Sequence, residues 1–519
     1  MERQSPHVVH LIVMLLPIVV CSLPQTTVGE QVSGQQDTLK QHYEAGQKFQ
    51  RAGDMAQASA EYRLFLGEAL HRIANGTAKA GEFSRANTLY EEALRQAPDD
   101  SMLRLDYAKV CLDTDQLLKA RATVERAVQL NPRDPQARFI LGRILFNLED
   151  YTAAKSQLEA ATALNPDFET GYLLGTTYLL LHEEWAARRL FEDMIAGLGN
   201  TALIHIYFGR AYSQNDYPEL AAEEFRKAIE LDNHAPDAHY YLALAYLGHN
   251  EEMGFAKAIP EFRAELEINP HDFRSEYMLG YIARKQRDLP EAEKHLRRAT
   301  ERDPSNLDAL LELAGVLTDT NRTAEAGITL RKAIAEAEAS PGAERQLSRA
   351  HYLLGQILRL MGHLDEAKRE LVQSAAVEKG LRTVRATSAD ERSIGSGSLV
   401  RNEVLTQVGS PAQTALTESK KALDEFSASL TPLIGEAYNN LGAIAAGQKD
   451  FPRAMEEFQK AREWTPSLEV LDRNFGMASF YAGHFDESVT ALRRYLAAHP
   501  DDAVARSLLA DASRKLEKN

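Results

Sequence analysis

The sequence predicts an all-α solenoid built from repeated helical hairpins, and two regularities support this prediction. The chain has 519 residues, which is too long for one ordinary domain, so several domains or one repetitive array are expected. Prolines recur at a spacing of 34 residues at Pro98, Pro132 and Pro166, and alanines stand 12 and 5 residues before each of them. A supersecondary unit that repeats along the chain in this way is typical of a solenoid.

The composition is that of a folded, water-soluble protein. Apolar residues make up 44% of the chain and charged residues 26%, which argues against extensive disorder. The formal net charge is −16, so the overall field repels a polyanion. We therefore expect no nucleic acid among the partners.

Each unit is predicted to consist of two antiparallel helices. In LGRILF (141–146), the spacing of the apolar residues places them on one helical face. Gly142 is small at a point where a second helix has to pass closely. Ala154 and Ala161, seven residues apart, give that second helix a matching flat stripe. Pro166 then ends the helix, because proline cannot continue it.

This pattern resembles the tetratricopeptide repeat (TPR) family, whose loose signature is Trp-x2-Leu-Gly-x2-Tyr followed by Ala, Phe, Ala and Pro. The best match lies within residues 438–466, at Tyr438, Leu441, Gly442, Ala454, Phe458, Ala461 and Pro466. Matching repeats begin near Leu39, Gly67, Ser101, Pro135, Phe168, Ala202, Pro236, Phe273, Leu307, Ser348, Gly435 and Glu469. The resemblance implies a right-handed α-solenoid of about twelve helix-turn-helix repeats with a C-terminal capping helix.

The repeats define the predicted domains. Residues 39–379 form an array of about ten repeats, residues 435–502 form two more, and residues 503–519 form the capping helix. The stretch 380–434 does not follow the pattern. It contains SIGSGS, which is typical of a flexible loop, and then a helix that is expected to end at Pro432. We therefore predict an inserted, partly flexible segment with one helix.

The N-terminus predicts export. The apolar run VVHLIVMLLPIVV is too short to span a bilayer and contains Pro17, so residues 1–24 are predicted to be a signal peptide and 25–38 a linker. The alternatives are an uncleaved anchor and a lipoprotein signal at Cys21, and membrane contact is expected only through one of these. The protein would be periplasmic or secreted in a bacterium, and extracellular or in the secretory pathway in a eukaryote.

Catalytic and metal-binding motifs are incomplete. HEEWA at 182–186 begins like a zinc-protease motif, but Ala186 replaces the second histidine ligand. GAIAAGQK at 442–449 has the glycine spacing of a phosphate loop, but Gln448 replaces its lysine. We therefore expect no enzyme activity, no metal and no cofactor.

The predicted binding surface lies on the first helix of each repeat. There, positions 2, 5, 9 and 12, counted from the start of the repeat, share one face. By resemblance to the family, this face lines the concave side of the superhelix and receives peptides. Aromatic residues and arginines recur on it, as they do on peptide-binding surfaces. The predicted peptide-binding residues are Phe139, Arg143, Tyr172, Ile206, Arg210, Tyr240, Arg274, Tyr277, Arg284, Tyr352 and Arg359. An alternative is that individual rings pack between neighbouring repeats.

These features predict a non-enzymatic scaffold that binds protein or peptide segments in the groove of a helical superhelix. One alternative is a structural or assembly component of a cell-envelope or export complex, with the array as a rigid spacer. Another is the regulatory part of an enzyme. The segment 380–434 is too short to bury a catalytic core of its own, which disfavours this last alternative.

Overall fold

A computed structural model describes residues 28–248, 251–388 and 413–517 of the chain. Within these ranges the regular elements are 24 α-helices, and no strand occurs there. The predicted all-α fold class is therefore confirmed. The predicted signal peptide and the SIGSGS loop lie outside the described residues.

The helices follow one another with short turns between them. They are α1 (Val28–Ala52), α2 (Met55–Lys79), α3 (Phe83–Gln96), α4 (Ser101–Asp113), α5 (Leu117–Leu130), α6 (Pro135–Asn147), α7 (Tyr151–Leu164), α8 (Phe168–Leu180), α9 (Glu184–Leu198), α10 (Ala202–Gln214), α11 (Pro218–Leu231), α12 (Ala238–Leu247), α13 (Glu251–Ile268), α14 (Phe273–Lys285), α15 (Leu289–Arg302), α16 (Leu307–Asp319), α17 (Thr323–Glu338), α18 (Glu344–Leu360), α19 (Leu364–Ser388), α20 (Gln413–Gly447), α21 (Phe451–Trp464), α22 (Leu471–Ala482), α23 (Phe485–Ala498) and α24 (Ala503–Leu516).

The contacts between helices divide the chain into two units. The described part of the central unit runs from Gly171 to Ser388, and that of the terminal unit comprises residues 28–170 and 413–517. In both units, consecutive helices pack against each other as hairpins.

Small residues make close packing possible within each hairpin. In the central unit, a Cβ atom on Gly209 of α10 would lie 2.6 Å from Cε1 of Phe225 on α11. Phe225 and Ala228 are fully buried. In the terminal unit, a Cβ atom on Gly142 would lie 2.7 Å from Leu158 in the same way. The small residues that recur in the sequence therefore have the role predicted for them.

Where the turn inside a hairpin is fully described, it contains a residue with a positive φ. In the repeats that begin at Ser101, Pro135, Ala202 and Leu307, this residue is the fifteenth. These four residues are Asp115, Glu149, Asp216 and Asn321, with φ of 58°, 62°, 69° and 68°. Gly362 and Gly483 take the equivalent place in later repeats. The left-handed conformation disfavours a side chain, so most repeats carry local strain at this turn.

The terminal unit joins segments that are distant in sequence. Its helix α20 packs against α2. Arg63 Nη2 lies 2.9 Å from Glu457 Oε1 on α21, and the Tyr43 hydroxyl donates a hydrogen bond to Glu436 on α20. The repeats that follow residue 413 thus pack on the first repeats of the chain, which the sequence pattern did not predict.

Two predicted boundaries differ from the structure. Residues 25–38 were expected to be a linker, but α1 is already helical from Val28. The helix expected to end at Pro432 continues to Gly447. Proline lacks the N–H for one helical hydrogen bond. However, Leu430 and Ile434 are buried on either side of it, at 7% and 0% exposure. Burial of both side chains explains why the helix continues through the proline.

Candidate functional site

Four predicted binding residues lie on consecutive first helices of the central unit. Tyr172 is on α8, Ile206 on α10, Tyr240 on α12 and Tyr277 on α14. Ile206 is buried and the three tyrosines are partly buried. Ile206 therefore packs inside the unit, whereas each of the three tyrosines leaves part of its side chain accessible to a ligand.

Two further tyrosines extend this aromatic surface and were missed by the sequence analysis. The ring centroid of Tyr207 lies 6.0 Å from that of Tyr172, and Tyr241 lies 5.5 Å from Tyr240. The guanidinium carbon of Arg210, a predicted binding residue, lies 5.3 Å from the Tyr241 ring centroid. Tyr207 and Tyr241 are 34 residues apart, so their shared repeat position was a signal that could have identified them.

Arg274 covers Tyr240. Its guanidinium carbon lies 4.5 Å from the Tyr240 ring centroid, a cation–π contact. Arg274 Nε donates to Asp272 Oδ1 at 2.7 Å, and Asp237 accepts a second hydrogen bond from the same guanidinium. Burial raises the pKa of the Tyr240 hydroxyl to about 12, so the ring is neutral at physiological pH. Arg274 thus positions Tyr240, and the two aspartates compensate the positive charge of Arg274.

A basic pocket of about 570 Å³ opens beside the carboxyl end of α14. Its residues come from α14, α16, α18 and the turn after α14. They are Tyr281, Arg284, Lys285, Arg287, Glu312, Asp319 and Arg349. Arg284 was a predicted binding residue, and Tyr277 is on the same helix, 6.4 Å from Tyr281 between ring centroids.

Glu312 organises this pocket. It is 7% exposed and accepts hydrogen bonds from Arg284 Nη1 at 2.6 Å and Arg349 Nη2 at 2.8 Å. Burial disfavours its ionised form, but the bonds from Arg349 and Arg284 outweigh burial, and the pKa of Glu312 lies below its usual value. Arg284 also donates to Asp319 Oδ2 at 3.2 Å and lies against Gly315, where a Cβ atom would collide with the guanidinium. The position of Arg284 is therefore set by three residues of α16.

The remaining predicted residues are in other environments. Tyr352 on α18 is 50% exposed, and Arg359 on the same helix is exposed and donates to Gln356 at 2.7 Å. Phe139 and Arg143 are on α6, which belongs to the terminal unit. The surface described here therefore begins at Tyr172.

The other candidate reactive residues, Cys111 and His182, lie in the core and in a turn between helices. Cys111 is fully buried, and burial raises the pKa of its thiol. His182 of the HEEWA stretch occupies the turn before α9 with φ of 59°. Among the described residues, no group of His, Cys, Asp and Glu side chains could hold a metal ion. None of the helices in the described ranges is long and apolar enough to cross a membrane.

Comparison with protein families identifies the repeats. One tetratricopeptide repeat model matches residues 208–273, 277–344, 413–467 and 473–518, and a second matches residues 348–378. The model of the middle TPR-like domain of cilia and flagella-associated protein 70 matches residues 70–186. No curated protein matches the chain.

Solved TPR structures resemble parts of the chain. The crystal structure of MamA is 25% identical, with a TM-score of 0.28, over 30% of this chain and 92% of that one. The C-terminal part of a TPR protein from Cytophaga hutchinsonii is 17% identical, with a TM-score of 0.36, over 47% of this chain and 99% of its own. YrrB, a TPR protein with an unusual peptide-binding site, is 18% identical, with a TM-score of 0.25, over 43% and 95%. The repeated hairpins and the matches to the family models together show that this chain is a member of the TPR family.

Proposed function

We propose that the protein is an interaction scaffold whose central unit binds an extended peptide segment along Tyr172, Ile206, Tyr240 and Tyr277. The observation that carries this proposal is the placement of large side chains and arginines on successive first helices, with the tyrosines only partly buried. A TPR array exposes such a surface without a catalytic centre, and non-enzymatic binding is the function that it supports best.

The chemistry of this surface suits a polypeptide. Aromatic rings supply a large contact area at little conformational cost, and arginine side chains present several N–H donors to carbonyl and carboxylate groups. Arg210 and Arg274 are held against Tyr241 and Tyr240, so little side-chain order would have to be created on binding. Preorganisation of this kind favours a specific complex.

Export is a separate part of the proposal. The apolar run at residues 8–20 supports it, and with it a role for the scaffold in the bacterial periplasm or in the secretory pathway of a eukaryote. The alternative of a component of an envelope or export assembly needs the same location. Mass spectrometry of the N-terminus of the chain from its host tests this. The export proposal would be contradicted by a chain that still begins at Met1, carries no lipid and is not found in the membrane fraction of the cells.

The binding proposal can be tested with random dodecapeptides displayed on phage and selected on the full chain. We expect Tyr240→Ala to weaken selected peptides about tenfold, which corresponds to roughly 1–2 kcal/mol of lost ring contact. Tyr246→Ala is a matched control. Tyr246 lies on the same helix and packs partly buried against the same core cluster, but it is outside the stripe. Equal effects of both variants on binding, or failure to select any peptide, would contradict the proposal.

A further inference from the structure

The basic pocket carries an excess of positive charge. Arg284, Lys285, Arg287 and Arg349 line it together with two acids, Glu312 and Asp319, so the lining residues sum to +2. The chain as a whole carries −16. This local reversal of sign concentrates the field on an anion that enters the pocket.

The two acids of the pocket already have cationic partners. Glu312 bonds Arg284 and Arg349, and Asp319 bonds Arg284. The excess charge therefore corresponds to Lys285 and Arg287, which are exposed. Lys285 Nζ lies 5.2 Å from the Tyr281 ring centroid, and Arg287 is in the turn that follows α14, with φ of 66°.

Helix ends offer a simpler explanation for part of this charge. Arg284 and Lys285 are in the last turn of α14, where basic side chains complement the helix dipole. Arg349 is different, because it is in the first half of α18 and reaches the pocket from two hairpins further along the chain. Convergence of bases from two separate segments, the end of α14 and the first half of α18, is not explained by the dipole of one helix.

We propose that the basic pocket binds a dianionic group on the bound peptide, namely a phosphorylated side chain or two adjacent Asp or Glu carboxylates. This inference rests on the proposed function, because the peptide that runs along Tyr240 and Tyr277 would present the group. A dianion balances the excess charge of +2, whereas one carboxylate leaves it half compensated. Arg349 has five N–H donors and uses one of them on Glu312, so further donors are available to an oxyanion.

The volume of the pocket agrees with this ligand. A cavity of about 570 Å³ exceeds what one carboxylate fills and leaves room for the neighbouring residues of the peptide. Glu312 and Asp319 hold Arg284 in place before the ligand arrives. The ligand therefore meets a preorganised set of donors.

The test uses the full chain and three pools of dodecapeptides with randomised flanks. The fixed central pair is Asp-Asp, Ala-phosphoserine or Asn-Asn, and binding of each labelled pool is measured by fluorescence polarisation. We expect at least one of the two acidic pools to bind about tenfold more tightly than the neutral pool, because one or two charge-assisted hydrogen bonds are gained. A preference for phosphoserine alone, or for Asp-Asp alone, identifies the source of the dianion.

The double variant Lys285→Glu/Arg287→Glu should bind the acidic pools no better than the neutral pool, with neutral binding unchanged. Lys332→Glu, an exposed lysine of α17 outside the pocket, is the matched control and should leave the preference intact. Neutral binding without an acidic preference, or an equal loss in the Lys332→Glu control, would overturn this inference alone. Failure of all three pools to bind would overturn the proposed function as well.

Discussion

The Tyr438 hydroxyl donates a hydrogen bond to Glu92 Oε1 at 2.6 Å, although the two residues are 346 positions apart in the sequence. Tyr438 is fully buried and Glu92 is 7% exposed. Burial and the neighbouring carboxylate raise the pKa of Tyr438, so its hydroxyl stays protonated and remains a donor. Lys460 lies 3.6 Å from the same carboxylate. This cluster joins α20 and α21 to α3 inside the terminal unit.

Removal of the Tyr438 hydroxyl should destabilise the terminal unit. In Tyr438→Phe, Glu92 loses a buried hydrogen-bond donor while the ring packing is retained. We expect a loss of about 1–2 kcal/mol in the free energy of unfolding, measured by urea denaturation. Tyr481→Phe is the control, since Tyr481 is 56% exposed, and its effect should stay within about 0.5 kcal/mol. A Tyr438→Phe protein as stable as wild type would show that the bond contributes nothing net.

A break in the chain before α20 should leave the two fragments associated. The sequence predicts that limited proteolysis cuts first between about Ser393 and Ser410, because SIGSGS offers few apolar side chains to order the backbone. Contacts such as Arg63–Glu457 would then hold the fragments together. Size-exclusion chromatography should show them co-eluting in native buffer and separating in urea. Separation in native buffer, or a first cut inside 135–300, would contradict this prediction.

Two substitutions at left-handed turn residues should change the stability of the fold in opposite directions. Lys449 has φ of 64°, a conformation that glycine adopts without cost, so Lys449→Gly should stabilise the fold by up to about 1 kcal/mol. Gly362 has φ of 84°, so Gly362→Ala should destabilise it by about 1–2 kcal/mol. Thermal melting of both variants measures the effect. A shift in the same direction for both would contradict the argument from backbone strain.

His239 should make stability depend on pH. Its Nδ1 lies 2.6 Å from Glu261 Oε2, and this hydrogen bond raises the pKa of His239 above its usual value despite burial. A raised pKa in the folded state means that the pair stabilises the fold below about pH 6.5 and loses this contribution as the pH rises through the folded pKa. The destabilisation by His239→Gln should therefore be larger at pH 6 than at pH 9.

Chemical denaturation at both pH values measures the His239 effect. His234→Gln is the control, because the His234 side chain is exposed and its Nδ1 lies 2.5 Å from the amide oxygen of its neighbour Asn233 rather than from a carboxylate. A destabilisation by His239→Gln that is the same at both pH values would contradict the assignment.

The features predicted correctly from the sequence are those set by local spacing. Gly142 is recognisable as a packing residue because helical periodicity and the repeat place it opposite the next helix, where Leu158 lies against it. The end of α20 was predicted wrongly at Pro432, because the burial of Leu430 and Ile434 overrides a local signal. Packing between distant segments leaves no periodic trace, which is why the contact of Tyr438 with Glu92 was not foreseen.

The candidate site could be predicted only in part for a similar reason. Arg274 and Arg284 are identified as bases on the stripe from their repeat positions. The acids that fix them, Asp237 and Glu312, are recognised only when neighbouring hairpins are placed side by side. The sequence therefore indicates which residues line the surface, and the structure shows which of them are preorganised.

The joining of both chain ends in one unit has a consequence for the order of biosynthesis. Helices α2 and α3 emerge from the ribosome more than 300 residues before α20 and α21, the helices that cover them. At cellular translation rates this interval is on the order of tens of seconds. Tyr62 and Phe65 are fully buried in the finished protein. During this interval, the face of α2 that carries them is not yet covered by α20, whose Asn440 later donates a hydrogen bond to the Tyr62 hydroxyl. The terminal unit is therefore completed only after translation ends, and nascent chains should depend on chaperones until then.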